Sequence, residues 1–502
     1  MRCGIFAQPC LLVFLLLCLS GAIADTSEKP YLIRTKSSTP VSTFDAFIQE
    51  LDEGQGKPEI FPDGEYQSYQ TNLTESQAEE IRQKDFILLV FPAGIANEVK
   101  PRDPQQGAVN DTSEAPSEGS RLERRQRHTP RQLQFVSWNG LGEAPDDLRY
   151  RRDSSDGAGV PIFVIDSGFN IHHPELARHG RRVFPWAVPE TAMPSQMRIG
   201  GRIWDRLPQQ FDTDYEGHGT KMAALAAGTT LGAARFADLH LIKASVDYDY
   251  QGNRGTRQAR TSYETWRLVF RYIVHVLRAQ AQNARMNGFT LKAIVSISGD
   301  RDRVDDDEQT DRAYWSLFQD FAADLNEYGV PLVVAAGNDG LEGRTLDDSF
   351  LTALSRPGNN IIPIGGVQAD GTLWIQTTPD GRRSRISAYT VCTDLDTLDD
   401  HGRYISHYDS GTSPAAAITS GMLATWLSID LCNVPPVFQD VVGRIFDRYG
   451  NPNAVGIKNQ LERVSYQKNH RKVPRGTPRL PYELPLRVNS IYNWARGRPV
   501  TG

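Results

Sequence analysis

Five short apolar runs, at residues 161–166, 238–244, 292–298, 331–336 and 360–364, recur through the second part of the chain. Most are apolar without alternation, which is the mark of a strand covered on both faces. Between them lie stretches with helical periodicity, at 220–227, 262–286 and 308–328, and a further one follows at 414–427. Strands separated by helices call for right-handed crossovers and a parallel sheet with helices on both sides. The expected fold is therefore α/β. In such sheets functional residues gather at the carboxyl ends of the strands.

The region before residue 138 is organised differently. Residues 31–34, 65–71 and 86–91 read as strands and 43–51 as a helix, while Thr74-Glu75-Ser76-Gln77 has the capping-box form that opens a second helix through Gln83. This is a small α+β domain, assigned to residues 25–99. Residues 100–134 read as a linker rich in Pro, Gln, Ser and Gly, with a basic run (Arg121, Arg124, Arg125, Arg127, Arg131) suited to proteolytic nicking. A second domain is expected over 135–502, with a C-terminal extension from about 435. At the front, Arg2, the apolar residues 11–19 and Ala22-Ile23-Ala24 have the form of a secretory signal over residues 1–24. The apolar run is shorter than the ~20 residues of a membrane-crossing helix, so no stable membrane anchor is expected. Secretion to the extracellular space is expected, with asparagine glycosylation at the sequons of Asn72 and Asn110.

Composition removes several classes of function. The 55 Lys and Arg against 61 Asp and Glu give a net charge of −6, which offers no surface for nucleic acid. Three of the five cysteines lie in the signal, leaving Cys392 and Cys432, bridged or as two buried thiols. No C-x-x-C or H-E-x-x-H occurs, so no metal site or cofactor is expected.

Three segments carry chemistry. The strand Ile162-Phe163-Val164-Ile165 ends in Asp166-Ser167-Gly168, placing a carboxylate at a sheet's carboxyl edge. Alone, such an Asp is more often a turn residue. Gly157-Ala158-Gly159 precedes this strand, which excludes a nucleotide-binding turn. In Asp214-Tyr215-Glu216-Gly217-His218-Gly219-Thr220 glycines flank an imidazole ahead of an Ala-rich helix. In Ser410-Gly411-Thr412-Ser413-Pro414-Ala415-Ala416-Ala417 a serine stands at a helix start among small residues, its hydroxyl at the positive end of the helix.

Asp, His and Ser occur in the chain order of subtilisin, and no G-x-S-x-G elbow is present. On these motifs, with Ala335-Ala336-Gly337-Asn338 between the second and third, residues 138–427 resemble the subtilisin-like serine peptidases, the subtilases. The resemblance implies a three-layer subtilisin-like fold preceded by a propeptide. It implies a triad of Asp166, His218 and Ser413, an oxyanion donor in Asn338, and a substrate-lining segment at Ser298, Gly299 and Asp300. The carboxylate of Asp300 stands where the family usually has Gly, which would favour a basic side chain next to the scissile bond. The expected partners are protein or peptide substrates and the chain's own propeptide as an intramolecular inhibitor, and a monomer is expected. Structural calcium, common in the family, has no loop motif that places it. Four positions depart from the family pattern: Lys221 for His, Ala224 for Gly, Pro414 for Met and Ala417 for Pro. A subtilase fold retained as a catalytically impaired binding module is the alternative reading.

Overall fold

The computed structural model describes residues 29–35, 39–51, 59–60, 67–92, 129–137, 150, 155–177, 181–199, 202–208, 210, 212–250, 257–299, 303, 308–399, 402–428, 443–447, 449–467 and 489–490. The chain divides into two compact units between Gly94 and Ile95. In the first, strands β1 (Lys29–Thr35), β2 (Glu59–Ile60), β3 (Gln67–Leu73) and β4 (Ile87–Pro92) form an antiparallel sheet in the order β2-β3-β1-β4. Helices α1 (Val41–Leu51) and α2 (Glu75–Arg82) accompany it, and Tyr31, Ile33, Phe44, Ile48 and Val90 form its fully buried centre. The capping box at the start of α2 is present as expected. Thr74 Oγ1 accepts from Gln77 N–H at 3.3 Å, and Gln77 Oε1 accepts from Thr74 N–H at 2.8 Å.

The first eleven described strands of the second unit, in chain order, are β5 (Ile162–Asp166), β6 (Val183–Ala187), β7 (Gln196–Ile199), β8 (Arg202–Arg206), β9 (Leu239–Lys243), β10 (Val246–Tyr250), β11 (Arg257–Arg260), β12 (Ile294–Ile297), β13 (Leu332–Ala335), β14 (Ile361–Val367) and β15 (Ala388–Val391). Seven of them make one sheet in the order β15-β14-β13-β12-β5-β9-β6, parallel throughout. The five expected apolar runs are its five inner strands. Its edges, β6 and β15, are short, and β6 is interrupted by Pro185, which an edge strand tolerates because it has no second neighbour to bond. The remaining four form a separate antiparallel sheet in the order β11-β10-β8-β7.

The helices are α3 (Arg131–Ser137), α4 (His218–Ala227), α5 (Tyr263–Met286), α6 (Glu308–Glu327), α7 (Phe350–Leu354), α8 (Thr412–Leu427) and α9 (Ala454–Val464). Helix α5 opens on a capping box of Ser262 and Thr265. It buries Trp266, Val269, Phe270, Ile273 and Leu277 at helical spacing, and Phe270 stacks on Phe321 of α6 at 3.9 Å. Helix α8 has no polar face at all: every residue from Thr412 to Leu427 is buried. A helix of small residues can be enclosed in this way because Ala, Gly and Ser let neighbouring backbones approach, while fully buried Leu423 and Leu427 contribute about 1.5–3 kcal/mol each.

Two described elements lie at expected boundaries. The linker, placed through residue 134, gives way to α3 at Arg131. There Leu133, Phe135 and Val136 join the main core, and the Gln132 amide donates to Leu231 O at 3.2 Å and Asp396 O at 3.0 Å. Residues beyond 435 are not only an extension, since α9 places Ile457 and Leu461 in the same core. Its Lys458 amine is buried among Ser355 Oγ, Arg356 O and Asn359 Oδ1, and burial lowers its pKa to about 8. The signal, the basic run 121–127, Asn110 and Cys432 lie outside the described residues. Cys392 is buried. No described helix is long and apolar enough to cross a membrane.

Helix α8 crosses α4 at Gly421, where an added Cβ would lie 2.1 Å from Ala226 O and 2.9 Å from Ala233 Cβ. Gly421→Ala gains about 1 kcal/mol of helix propensity but must push two backbones apart. The expected net result is a loss of about 1–3 kcal/mol in urea denaturation. A neutral outcome would mean that the two helices separate freely.

Candidate active site

The carboxyl ends of three adjacent strands, β13, β12 and β5, meet the first turns of α4 and α8, and the motif residues lie at this junction. Asp166 closes β5. Its Oδ1 accepts from Ser167 N–H and from His218 Nδ1–H, both at 2.7 Å. Its Oδ2 is buried and has no hydrogen-bond partner among the described residues.

His218 opens α4 after Gly217, whose φ of 68° is left-handed, and its side chain remains 17% exposed. The next residue cannot carry a side chain: a Cβ on Gly219 would lie 2.1 Å from Gly168 O and 2.9 Å from Asp166 Cβ. The glycine thus brings the imidazole helix directly against the turn that bears the carboxylate. The loop leading to His218 is held from two sides. Asp214 accepts from Thr220 N–H at 2.8 Å and Thr220 Oγ1 at 2.6 Å, and the fully buried Lys243 amine donates to Thr213 O at 3.1 Å and pairs with Asp247. Burial raises the Asp214 carboxyl from 3.8 to about 6 and the Glu216 carboxyl from 4.5 to about 7.

Ser413 lies in the first turn of α8, 8% exposed. The turn is fixed by Asn338, whose Oδ1 accepts from Thr412 N–H at 2.9 Å and Thr412 Oγ1 at 3.0 Å. Gly337 N–H in turn donates to that same hydroxyl oxygen at 3.0 Å. With Oδ1 spent on Thr412, the Asn338 Nδ2 amide makes no hydrogen bond among the described residues. The Ser413 hydroxyl donates to Ser298 O at 2.8 Å, and Ser298 Oγ donates back to Ser413 O at 3.4 Å. This reciprocal clasp ties the end of β12 to the start of α8.

The structure therefore joins Asp166 to His218 directly, and joins Asn338, Ser413 and Ser298 into a second connected group. The helices that carry the two groups, α4 and α8, pack on each other. Gly299 is half-buried beside Ser298, and Asp300 lies outside the described residues. Three residues further on, Arg303 is held by Asp311 at 2.9 and 3.0 Å, its guanidinium 4.7 Å from the Trp315 ring centre and 5.6 Å from that of Phe350. The four departures from the family pattern, Lys221, Ala224, Pro414 and Ala417, are buried in the two helices. Sequence reasoning gave Thr412, Lys243 and Glu216 no role. The first and third stood inside the quoted motifs, and only Lys243, a charge at the end of an apolar strand, carried a signal of its own. Among the described residues, no group of three or more His, Cys, Asp and Glu side chains is placed to hold a metal ion.

Comparison with known proteins falls on the same segment. A model of the subtilase family matches residues 157–433, more than half of the chain. Subtilisin-like protease 2 of Arthroderma benhamiae is 26% identical over 339 residues, covering 65% of this chain and 64% of that protein. Subtilisin-like protease 2 of Trichophyton rubrum is 26% identical over 339 residues, covering 65% and 63%. The chain thus spans slightly less than two thirds of the length of these relatives. Among solved structures, a cold-adapted subtilisin-like serine proteinase is matched with a TM-score of 0.44 and 16% identity, over 73% of this chain and 98% of that one. With all three motifs inside the segment that the family model matches, the chain belongs to the subtilase family.

Proposed function

We propose that the protein is a secreted serine endopeptidase of the subtilisin type, made as a zymogen. The observation that carries this reading is the 2.7 Å bond from His218 Nδ1 to Asp166 Oδ1, formed at the carboxyl edge of the sheet beside a serine at a helix N-terminus. Asp166 fixes the tautomer in which Nε2 is the nitrogen that takes a proton. Ser413 Oγ leaves Ser298 O, passes its proton to His218 and attacks the peptide carbonyl. His218 returns that proton to the leaving amine, and water then hydrolyses the acyl-enzyme by the same route. The oxyanion is received by Asn338 Nδ2 and the Ser413 backbone N–H at the positive end of α8.

A second reading, a catalytically impaired binding module, has one observation in its favour. The Ser413 hydroxyl rests on Ser298 O instead of on His218. Nucleophile contacts in unliganded sites are often formed only with substrate present, so this resting bond weighs less than the Asp166–His218 pair. Labelling with a fluorophosphonate probe separates the two, because it requires an activated serine.

The first unit is proposed as the propeptide, an inhibitor of its own peptidase until cut away. Because Leu133 and Phe135 are core residues of the second unit, cleavage is placed before Thr129, in the Arg-rich run that includes Arg124-Arg125. Residues 1–24 are proposed as the secretion signal and Asn72 and Asn110 as glycosylation sites.

Two outcomes are expected. Ser413→Ala abolishes peptide hydrolysis while the protein still folds, its stability lowered only by the one lost hydrogen bond to Ser298 O, about 0.5–1.5 kcal/mol, and Asn338→Ala lowers kcat about 10²–10³-fold. Undiminished turnover in Ser413→Ala would reject the reading. N-terminal sequencing of secreted, active enzyme is expected to begin after residue 124. A fully active form still carrying residues 31–91 covalently would remove the propeptide assignment, and Ser413→Ala secreted with that segment attached would identify the cut as autocatalytic.

A further inference from the structure

Strand β11 is the outermost strand of the antiparallel sheet. On one side it pairs with β10, with Ala259 opposite Asp247. The Ala259 N–H faces the other way and donates to Glu216 Oε1 at 3.0 Å. A sheet edge offers its outward N–H and C=O groups to any extended chain that lies alongside. Here one of those donors is already taken, by a side-chain oxygen standing where the carbonyl of an added strand would stand. The residue that supplies it is separated from His218 only by Gly217, so the side chain that occupies the edge and the imidazole belong to one loop. We propose that Glu216 is a built-in placeholder for an extended peptide: it holds the Ala259 amide that a substrate's backbone carbonyl takes on adding to β11, and long substrates bind by displacing it.

This rests on the peptidase reading for its occupant, an extended polypeptide, because the edge runs beside the loop that carries the proposed base. Burial explains how the carboxyl can be displaced. Near neutral pH a substantial fraction of it is protonated, and the neutral acid is a weaker acceptor than the carboxylate. The groups that act on it are His218 and Asp214 on its own loop and Asp166 at the end of β5. From β11 the contact is the Ala259 amide itself.

The test compares kcat/KM for a peptide series without ionisable side chains, lengthened stepwise from two to eight residues, in the unsubstituted enzyme and in Glu216→Ala. The ratio of long to short substrate is expected to rise about five- to tenfold in the variant near neutral pH, the size of one ordinary hydrogen bond forfeited. In the unsubstituted enzyme the same ratio should fall as pH climbs from about 6 to about 8, as the ionised carboxylate grips the amide harder. The part of the pH profile that belongs to the hydrolytic step itself is common to short and long substrates and cancels from the ratio. A ratio that falls in Glu216→Ala, or one independent of length, overturns the placeholder. If the variant does not fold, a pH-independent ratio in the unsubstituted enzyme does so alone. Binding of a fluorescent octapeptide to Ser413→Ala, with and without Glu216→Ala, needs no turnover: tighter binding in the double variant supports the placeholder, and equal or weaker binding overturns it. Fluorophosphonate labelling reports on Ser413 and not on β11, so failure of the peptidase reading is seen separately.

Discussion

Where α8 meets α4, the α-carbon of Gly421 lies against the carbonyl of Ala226, and the two backbones are closer than any side chain would allow. This contact sets the position of everything around it. Helix α4 begins at His218 and α8 at Thr412, so the distance between their axes also sets the spacing of their first turns. Close packing of this kind is stiff. The consequence is a site whose groups are held by the interior of the molecule, and the chain that bears them has little freedom of its own.

Charge is distributed at this junction with the same economy. The Asp166 carboxylate has one oxygen engaged twice, by Ser167 N–H and by His218, and the other buried without a hydrogen-bond partner among the described residues. The Asn338 carboxamide is held in a similar way, its oxygen engaged twice by Thr412. Each side of the junction is thus fixed through a single oxygen atom.

Much of this could be read from the residues, for physical reasons that differ by element. The inner strands were legible because burial on both faces forces an unbroken apolar run, as in Ile162-Phe163-Val164-Ile165. Helix α2 was legible because a capping box is a local interaction between Thr74 and Gln77. By contrast, β6 and β15 have a neighbour on one side only, and β8 and β11 (Arg202–Arg206 and Arg257–Arg260) are polar or charged, so no apolar run marked them, while β10 (Val246–Tyr250) alternates over only five residues. Helix α3 was taken for linker on its polar, Gln- and Arg-containing composition, whereas Gln132 is satisfied by carbonyls far away in sequence. The catalytic motifs were visible as spacing. The bond from Ala259 to Glu216 joins positions 43 apart, and the clasp between Ser298 and Ser413 joins positions 115 apart. Such pairings are properties of the fold and leave no trace in either segment alone.

Arg303 carries a consequence for how such a protein can change. Its side chain is fixed by Asp311, Trp315 and Phe350, on helices that belong to the body of the unit, while Ser298 is fixed by α8. Only the four positions 299–302 lie between these anchors. Substitutions in this span leave both attachments in place. Their cost to folding is therefore small, and the sequence between the anchors can vary while the scaffold stays constant. Diversity among relatives is expected to concentrate in the interval, and constancy at its two ends.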